Sequence, residues 1–435
     1  MNTSSRNIGA VLFSLAASAG CNASPKTELQ KPYILYIMAD DHTSQAWGIY
    51  GGQLKDFVHT PNIRRLAKEG CVLENCLVSN SICTPRRATI LTGQYSHVNG
   101  VKTLNEGLSP EQNNIAKIMQ NGGYQTSLIG KWHLKQEPAG FDYYCVLPGQ
   151  GRYWDPIFKT KENWQDYREG GKSFPGERKD FMFYPDLPFS VDGLDDRDAR
   201  MKTYQKLVKD FMRCGAAIDN NIGKLLDYLD KAGLAENTIV IYTADQGYFL
   251  GEHGFFDKRL IYEESIHMPF VIRYPKEIPA GTRNSDLVEN VDFSALIVDY
   301  AGIKYPATMQ GQSFRENLKG NTSKDWRKYG YYRYWQHEKD RPAHFGIRGE
   351  RYKLVFYYGN GLKQNKYTAE EQPTSYLDFF DLQEDPHELH NAYNDPSYQE
   401  IIKKMKDEIM HQRTLLGDTD EDNPEINEII ANHWN

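Results

Sequence analysis

The residues most able to do chemistry lie in one run, Cys83-Thr84-Pro85-Arg86-Arg87-Ala88-Thr89-Ile90-Leu91-Thr92-Gly93. Thr84 suits an N-cap, Pro85 suits the first helical position, where its missing N–H costs nothing, and Gly93 suits the C-terminal cap. The spacing predicts a short helix with Cys83 just ahead of it. Unpaired backbone donors and the positive end of the helix dipole favour an anion there, and Arg87, one turn in, adds a planar fork of donors for a tetrahedral oxyanion. A cysteine beside an anion site is the expectation. The alternative for this run alone is a buried thiol next to a surface helix.

A second group of residues is acidic. Asp40 and Asp41 follow the apolar run Tyr33–Met38, and Asp245 and Gln246 follow the β-branched run Thr238–Thr243. Adjacent carboxylates repel each other unless a cation lies between them. Oxygen ligands from Asp and an amide select Ca²⁺ or Mg²⁺ over zinc, and Ca²⁺ better tolerates irregular geometry. Asp40-Asp41 alone would read as a strand-end turn; a second acidic strand end at Asp245-Gln246 favours the metal.

These residues need elements to position them. Tyr33–Met38 is a continuous apolar run of the kind buried on both faces of a parallel sheet. A helix from Thr60-Pro61-Asn62 through Lys68, a strand Val72–Val78 and the Cys83 helix follow in βαβα order. A helix near 113–121 and a strand Ser127–Ile129 repeat the unit. Apolar residues at helical spacing predict a long amphipathic helix over 201–229, and Thr238–Thr243 and Phe270–Arg273 are strands. In open α/β sheets the ligand crevice lies outside the carboxyl ends of the strands, where Asp40, Asp41, Asp245 and Gln246 all fall. Beyond Lys319 the segments 331–334, 345–348, 352–358 and 376–381 alternate like antiparallel strands, and a helix near 397–415 follows. This predicts a catalytic α/β domain over 31–320, a smaller α+β subdomain over 321–417, and a solvated acidic tail over 418–435.

Composition limits the functions available. A chain of 435 residues with 40% hydrophobic and 13% aromatic content is enough for a large core. The formal charge of −7 carries no basic face of the kind a nucleic acid would need, so an anionic substrate requires local positive charge. Tyrosine and tryptophan side chains, of which there are 29 and 7, are a weak indication of sugar stacking. Residues 1–23 read as an export signal, and Ser18-Ala19-Gly20-Cys21 resembles a lipobox, so a periplasmic protein or an outer-membrane lipoprotein anchored at Cys21 is expected. Cys71, Cys76, Cys145 and Cys214 are too scattered for a disulfide framework and are expected to be buried thiols.

The run at Cys83 resembles the signature of the type I sulfatases, C-[S/T]-P-x-R followed by a Thr-Gly turn, and Leu91–His97 continues it. Gly123-Tyr124-Gln125-Thr126-Ser127-Leu128-Ile129-Gly130-Lys131-Trp132-His133 resembles that family's second signature, in the expected order. The resemblance implies an alkaline-phosphatase-like mixed sheet flanked by helices, with the smaller C-terminal subdomain beside it. It also implies that a maturation enzyme oxidises Cys83 to formylglycine, which with Asp40, Asp41, Asp245 and Gln246 holds one calcium ion. Arg87, Lys131, His133 and Lys258 would then hold the nucleophile and the sulfate oxygens.

One part of the pattern is missing. The family's strand between the second signature and the long helix, which ends in a sulfate-binding or proton-donating histidine, has no counterpart, and no histidine stands between His133 and His253. The interval near 154–200 looks like a deletion. His253 and His344 are the candidate substitutes. Segments such as His344-Phe345-Gly346-Ile347-Arg348 resemble bacterial glycan sulfatases related to N-acetylglucosamine-6-sulfatases, making His344 and Arg348 candidate sugar contacts. The expected function is calcium-dependent hydrolysis of sulfate esters on glycans. The alternatives are a catalytically impaired glycan-binding homologue and a phosphatase or phosphonate hydrolase of the same superfamily.

Overall fold

The computed structural model describes residues 31–151, 156–164, 190–338, 341–359 and 375–434. Strand β1 (Tyr33–Ala39) is the expected apolar run, and helix α1 (Pro61–Glu69) leads into β2 (Cys71–Leu77). Helix α2 (Cys83–Thr92) starts on Cys83 itself, with Ile82 at the N-cap, so Thr84 is not the cap and Cys83 lies in the first turn rather than ahead of it. It stops at Gly93, whose φ of 64° is left-handed and disfavours side-chain-bearing residues. Then come α3 (Ser96–Asn99), α4 (Ile115–Asn121), β3 (Ser127–Lys131), β4 (Tyr143–Leu147) and the long α5 (Asp196–Lys231). Strand β5 (Thr238–Ala244), the short pair β6 (Phe249–Leu250) and β7 (Phe256–Asp257), α6 (Glu263–Ile266), β8 (Phe270–Arg273), β9 (Thr282–Glu289) and α7 (Phe293–Tyr300) complete the first part. The rest is β10 (Gly330–Tyr334), β11 (His344–Arg348), β12 (Tyr352–Tyr357), β13 (Tyr376–Asp381), α8 (Gln399–Leu416) and α9 (Pro424–His433).

The main sheet has the order β1-β5-β8-β2-β9, parallel at β1/β5 and β2/β9 and antiparallel at both edges of β8. This is the mixed sheet that the resemblance implied. Strand β5 shows why both faces are covered. Val240 and Tyr242 pack with Trp47, Ile63, Leu66 of α1 and Ile222, Leu226 of α5, while Ile239 and Ile241 face the cluster containing Phe293 and Leu296 of α7. Alternate residues of a strand point to opposite faces, so helices on both sides require the unbroken apolar run seen in the sequence. Helix α1 has no side-chain cap of its own. Asp219 of α5 takes that role, accepting from the N–H groups of Asn62 at 3.1 Å and Ile63 at 2.8 Å.

Strands β3 and β4 form a separate parallel pair. Among the described residues β1 is hydrogen-bonded to a strand on one edge only, and its side chains are mostly half-buried whereas those of β5 are wholly buried. Most of the interval 154–200, where a strand was expected to be missing, lies outside the described residues.

The C-terminal sheet is antiparallel, β10-β11-β12-β13, and packs on α8 and α9. Residues 32–435 form one compact unit, so this sheet is a subdomain within it. Two expectations need correction here. The segment 418–434 is not a solvated tail: Asp418 and Asp420 are buried against the buried guanidiniums of Arg333 and Arg413, and Ile426 and Ile430 of α9 join the core. Buried arginines require counter-charges, and the acidic end of the chain supplies them. Of the four cysteines expected to be buried, Cys71 and Cys76 are, but Cys145 is half-buried and Cys214, on the outer face of α5, is exposed.

Candidate active site

Strands β1 and β5 run in parallel with Ala39 opposite Ala244, so Asp40-Asp41 and Asp245-Gln246 leave the sheet side by side. The Asp41 N–H donates to Asp245 Oδ1 at 2.8 Å. Helix α2 brings Cys83, Arg86 and Arg87 to the same place, the end of β3 brings Lys131 and the residues just after it His133, and the end of β7 brings Lys258. Every one of the residues expected to form a metal and sulfate site, His344 and Arg348 excepted, belongs to this one cluster.

Arg87 joins three of its parts. Its Nη2 lies 3.0 Å from Asp40 Oδ1 and 3.3 Å from Asp245 Oδ2, and its Nη1 donates to the Lys131 carbonyl at 2.7 Å. Lys131 Nζ stands 2.8 Å from Asp40 Oδ2, 2.6 Å from Gln150 Oε1 and 4.0 Å from Cys83 Sγ. Lys258 Nζ and Gln246 Nε2 both donate to Asp41 Oδ1, and His133 lies beside the Cys83 thiol. Sequence reasoning missed two members. Arg86 is wholly buried and pairs with Asp245, and Gln150 braces Lys131. Arg86 occupies the variable position between Pro85 and Arg87, so only the burial of nearly all of α2 singles it out.

Four cations against three carboxylates leave the cluster net positive, as an anion requires. Burial by itself would raise the Cys83 thiol, but Lys258, His133, Arg86 and Lys131 outweigh it and bring the group down to about 6. Any negative charge placed at this atom is stabilised by the same neighbours. Burial likewise works against the Asp40 carboxylate, and Lys131, Arg87 and Arg86 overcome it and hold it well below the usual carboxylate range. Asp41 and His133 both have φ of 55° and Arg259, next to Lys258, has φ of 95°, left-handed values that side-chain-bearing residues rarely adopt outside over-determined sites.

Among the described residues no three His, Cys, Asp or Glu side chains are arranged to hold a metal ion, and basic side chains lie against the carboxylates of the cluster. The donor set still fits a hard divalent cation. It is oxygen-only, and Gln246 Oε1 is a buried acceptor with no hydrogen-bond partner.

His344 and Arg348 are elsewhere. The His344 ring is buried against Tyr332, Tyr334 and Tyr357 with Nδ1 at 2.7 Å from the Pro342 carbonyl, and Arg348 pairs with Glu263 at 3.1 Å. Both lie on a strand buried along its whole length, so neither presents a side chain to a sugar in this structure. His253, the other candidate substitute acid, packs against Tyr262 with the rings tilted and stands 3.6 Å from Glu264. A surface cavity of about 510 Å³ lined by His59, Arg64, Arg65 and Lys68 shares no residue with the cluster.

The mixed sheet with paired acidic strand ends, the cysteine at a helix start and the arginine-lysine cradle are the arrangement that the sulfatase resemblance implied. The chain belongs to the sulfatase family: the family profile described as "Sulfatase" matches residues 32–303, and that described as "N-sulphoglucosamine sulphohydrolase, C-terminal" matches residues 251–415. It is therefore a sulfuric ester hydrolase that acts on sulfated glycans, from a family that typically uses a formylglycine and a calcium ion. It is 32% identical to an N-acetylglucosamine-6-O-sulfatase of Bacteroides thetaiotaomicron over 96% of this chain and 93% of the relative. That alignment runs over 535 positions, more than the 435 residues of this chain, so it carries gaps opposite residues of the relative. An ulvan-active sulfatase of Formosa agariphila is 26% identical over 89% of this chain and 81% of its own length. Among solved structures, one described as in complex with its substrate D-glucosamine-2-N,6-O-disulfate superposes with a TM-score of 0.74 at 30% identity, covering 91% of this chain and 100% of the other. The phosphonate monoester hydrolase of Agrobacterium radiobacter shares the fold, with a TM-score of 0.67 at 17% identity over 89% of this chain and 96% of the other.

Proposed function

We propose that the chain hydrolyses the 6-O-sulfate of glucosamine-type sugars in sulfated glycans, with residue 83 as the nucleophile. The observation that carries this reading is the convergence of Lys131, Lys258, His133 and Arg86 on Cys83. The sugar and the 6-position rest on the likeness to the N-acetylglucosamine-6-O-sulfatase over nearly the whole chain.

Asp40, Asp41, Asp245 and Gln246 would hold a calcium ion. A formylglycine at position 83 would supply, as its hydrate, the attacking oxygen, and the cation the Lewis acid that favours its ionised form. The chain's own residues do the rest. Lys131 and Lys258 bind sulfate oxygens and offset the charge that builds on them during transfer. Arg87 ties the ends of β1, β3 and β5 together, so the sulfate group and residue 83 are held at fixed separation. His133 stands beside the side chain at position 83, where a proton must be taken up and returned in each cycle.

The leaving-group side lacks the family's histidine, and neither His253 nor His344 touches the cradle through the contacts described above. Loss of a general acid typically costs about 10²–10⁴-fold. Protein matured with a formylglycine-generating enzyme should release sulfate from 6-sulfated N-acetylglucosamine in the presence of calcium, at a rate about 10²–10⁴-fold below a relative that keeps the histidine. Cys83→Ala should release none. Release by Cys83→Ala at the rate of the unaltered chain, measured by ion chromatography, would overturn the reading.

A further inference from the structure

The lysine at position 258 reaches Cys83 only if the loop carrying it is held against the start of α2, and a ring of hydroxyl hydrogen bonds joins the two. Tyr332 of β10 is 2% exposed. Its hydroxyl accepts from the Ser81 N–H at 3.1 Å and donates to the Arg259 carbonyl. Ser81 stands two residues before Cys83, and Arg259 directly follows Lys258. The ring closes on the other side through Ser265. Its Oγ accepts from the Arg259 N–H at 3.0 Å and donates to Ser81 Oγ at 2.8 Å, while Ser81 Oγ donates to the Ser265 carbonyl at 2.9 Å. Each hydroxyl proton is used once, so the ring has one consistent polarity.

Both backbone groups of Arg259 are therefore held, its carbonyl by Tyr332 and its N–H by Ser265. This matters because Arg259 has φ of 95°, a conformation that a residue with a side chain keeps only when its surroundings over-determine it. If the turn relaxed, Lys258 would move with it. The ring of Tyr332 is itself fixed by stacking on His344, with centroids 5.4 Å apart. Burial raises the Tyr332 hydroxyl well above its usual range, which keeps it a donor.

We propose that Tyr332, with Ser81 and Ser265, is a positioning residue that sets Lys258 against residue 83 and so couples the C-terminal sheet to the cradle. The proposal rests on the reading of Lys258 as a sulfate-binding group. All three hydroxyls belong to buried residues and are engaged by one another and by the backbone. Their effect passes through the turn at Arg259.

A double-mutant cycle tests it. Tyr332→Phe and Ser265→Ala, each checked for an unchanged thermal midpoint, should lower kcat/KM by about ten- to a hundredfold and weaken substrate binding, as expected when a sulfate-binding group is misplaced by order 1 Å. In a Lys258→Ala background the same two substitutions should cost nothing further, since the group they position is gone. Two variants are used because a folding defect in one leaves the other readable. The same cycle read as Kd for 6-sulfated N-acetylglucosamine in a Cys83→Ala chain needs no turnover. Absence of sulfate release from the unaltered chain would thus overturn the proposed reaction while the binding cycle still judges the ring. Wild-type kinetics and affinity in Tyr332→Phe, or equal losses with and without Lys258, would overturn the proposal.

Discussion

The Gln246 side chain illustrates how much one atom can decide. Its Nε2 is used by Asp41, but its Oε1 is buried without a partner, and an unsatisfied buried acceptor costs about 1–3 kcal/mol unless something binds it. A calcium ion held by Asp40, Asp41, Asp245 and Gln246 would satisfy it. Saturating calcium should therefore stabilise the unaltered chain by about 2.7 kcal/mol at a hundred times its Kd, read as a rise in thermal midpoint. Gln246→Ala should need a higher calcium concentration for the same rise. An equal calcium response in both chains would exclude Gln246 as a ligand. At this scale the sequence was highly legible: short motifs identified Cys83, Arg87, Lys131, His133 and Lys258, because chemistry of this kind needs particular side chains at close spacing. Arg86 and Gln150 were not legible, since one sits at a variable position of its motif and the other acts through Lys131.

Secondary-structure elements were legible where burial is periodic. The apolar runs of β1, β5 and β8 and the long stripe of α5 sit within a few residues of where the pattern puts them. Strand β4 and the helix α7 carry weaker signals and were not anticipated. Capping was less readable, because it can be supplied from far along the chain. Thr60 looks like the cap of α1, yet Asp219, more than 150 residues later, receives its N–H groups. Asp219→Ala should thus lower stability by about 0.5–2 kcal/mol, the usual range for a lost cap, by urea denaturation. Unchanged stability in Asp219→Ala would mean that the carboxylate adds nothing at that helix end.

Over the whole molecule, the acidic end of the chain closes the C-terminal subdomain. Asp418 is buried, which by itself raises its carboxyl, but Arg333 and then His97 outweigh this and bring it down to about 2, against an ordinary 3.8. A depressed folded-state value means that the folded chain gives up this proton more readily than the unfolded one. The resulting stability is present above about pH 4 and is lost as pH falls from 3.8 through about 2. Asp418→Asn should lose stability at neutral pH and show a shallower fall in urea midpoint between pH 4 and pH 2. An unchanged acid slope would show that the Arg333 pair does not contribute to it.

The sequence alone determined the class of chemistry, because motif spacing and strand-end acids are local patterns, and its unbroken apolar runs marked buried strands. That the sheet is mixed was implied only by the family resemblance, and it is the antiparallel β8 that makes it so. The tertiary structure decided what depends on distant partners. It placed the predicted sugar contacts His344 and Arg348 on a buried strand, where His344 packs among tyrosines and Arg348 pairs with Glu263. It drew the acidic end of the chain into the core, because buried Arg333 and Arg413 need counter-charges. It also joined Tyr332 to Ser81 and Arg259 across about 250 and 70 residues, contacts that no local pattern announces because they arise only when two sheets pack.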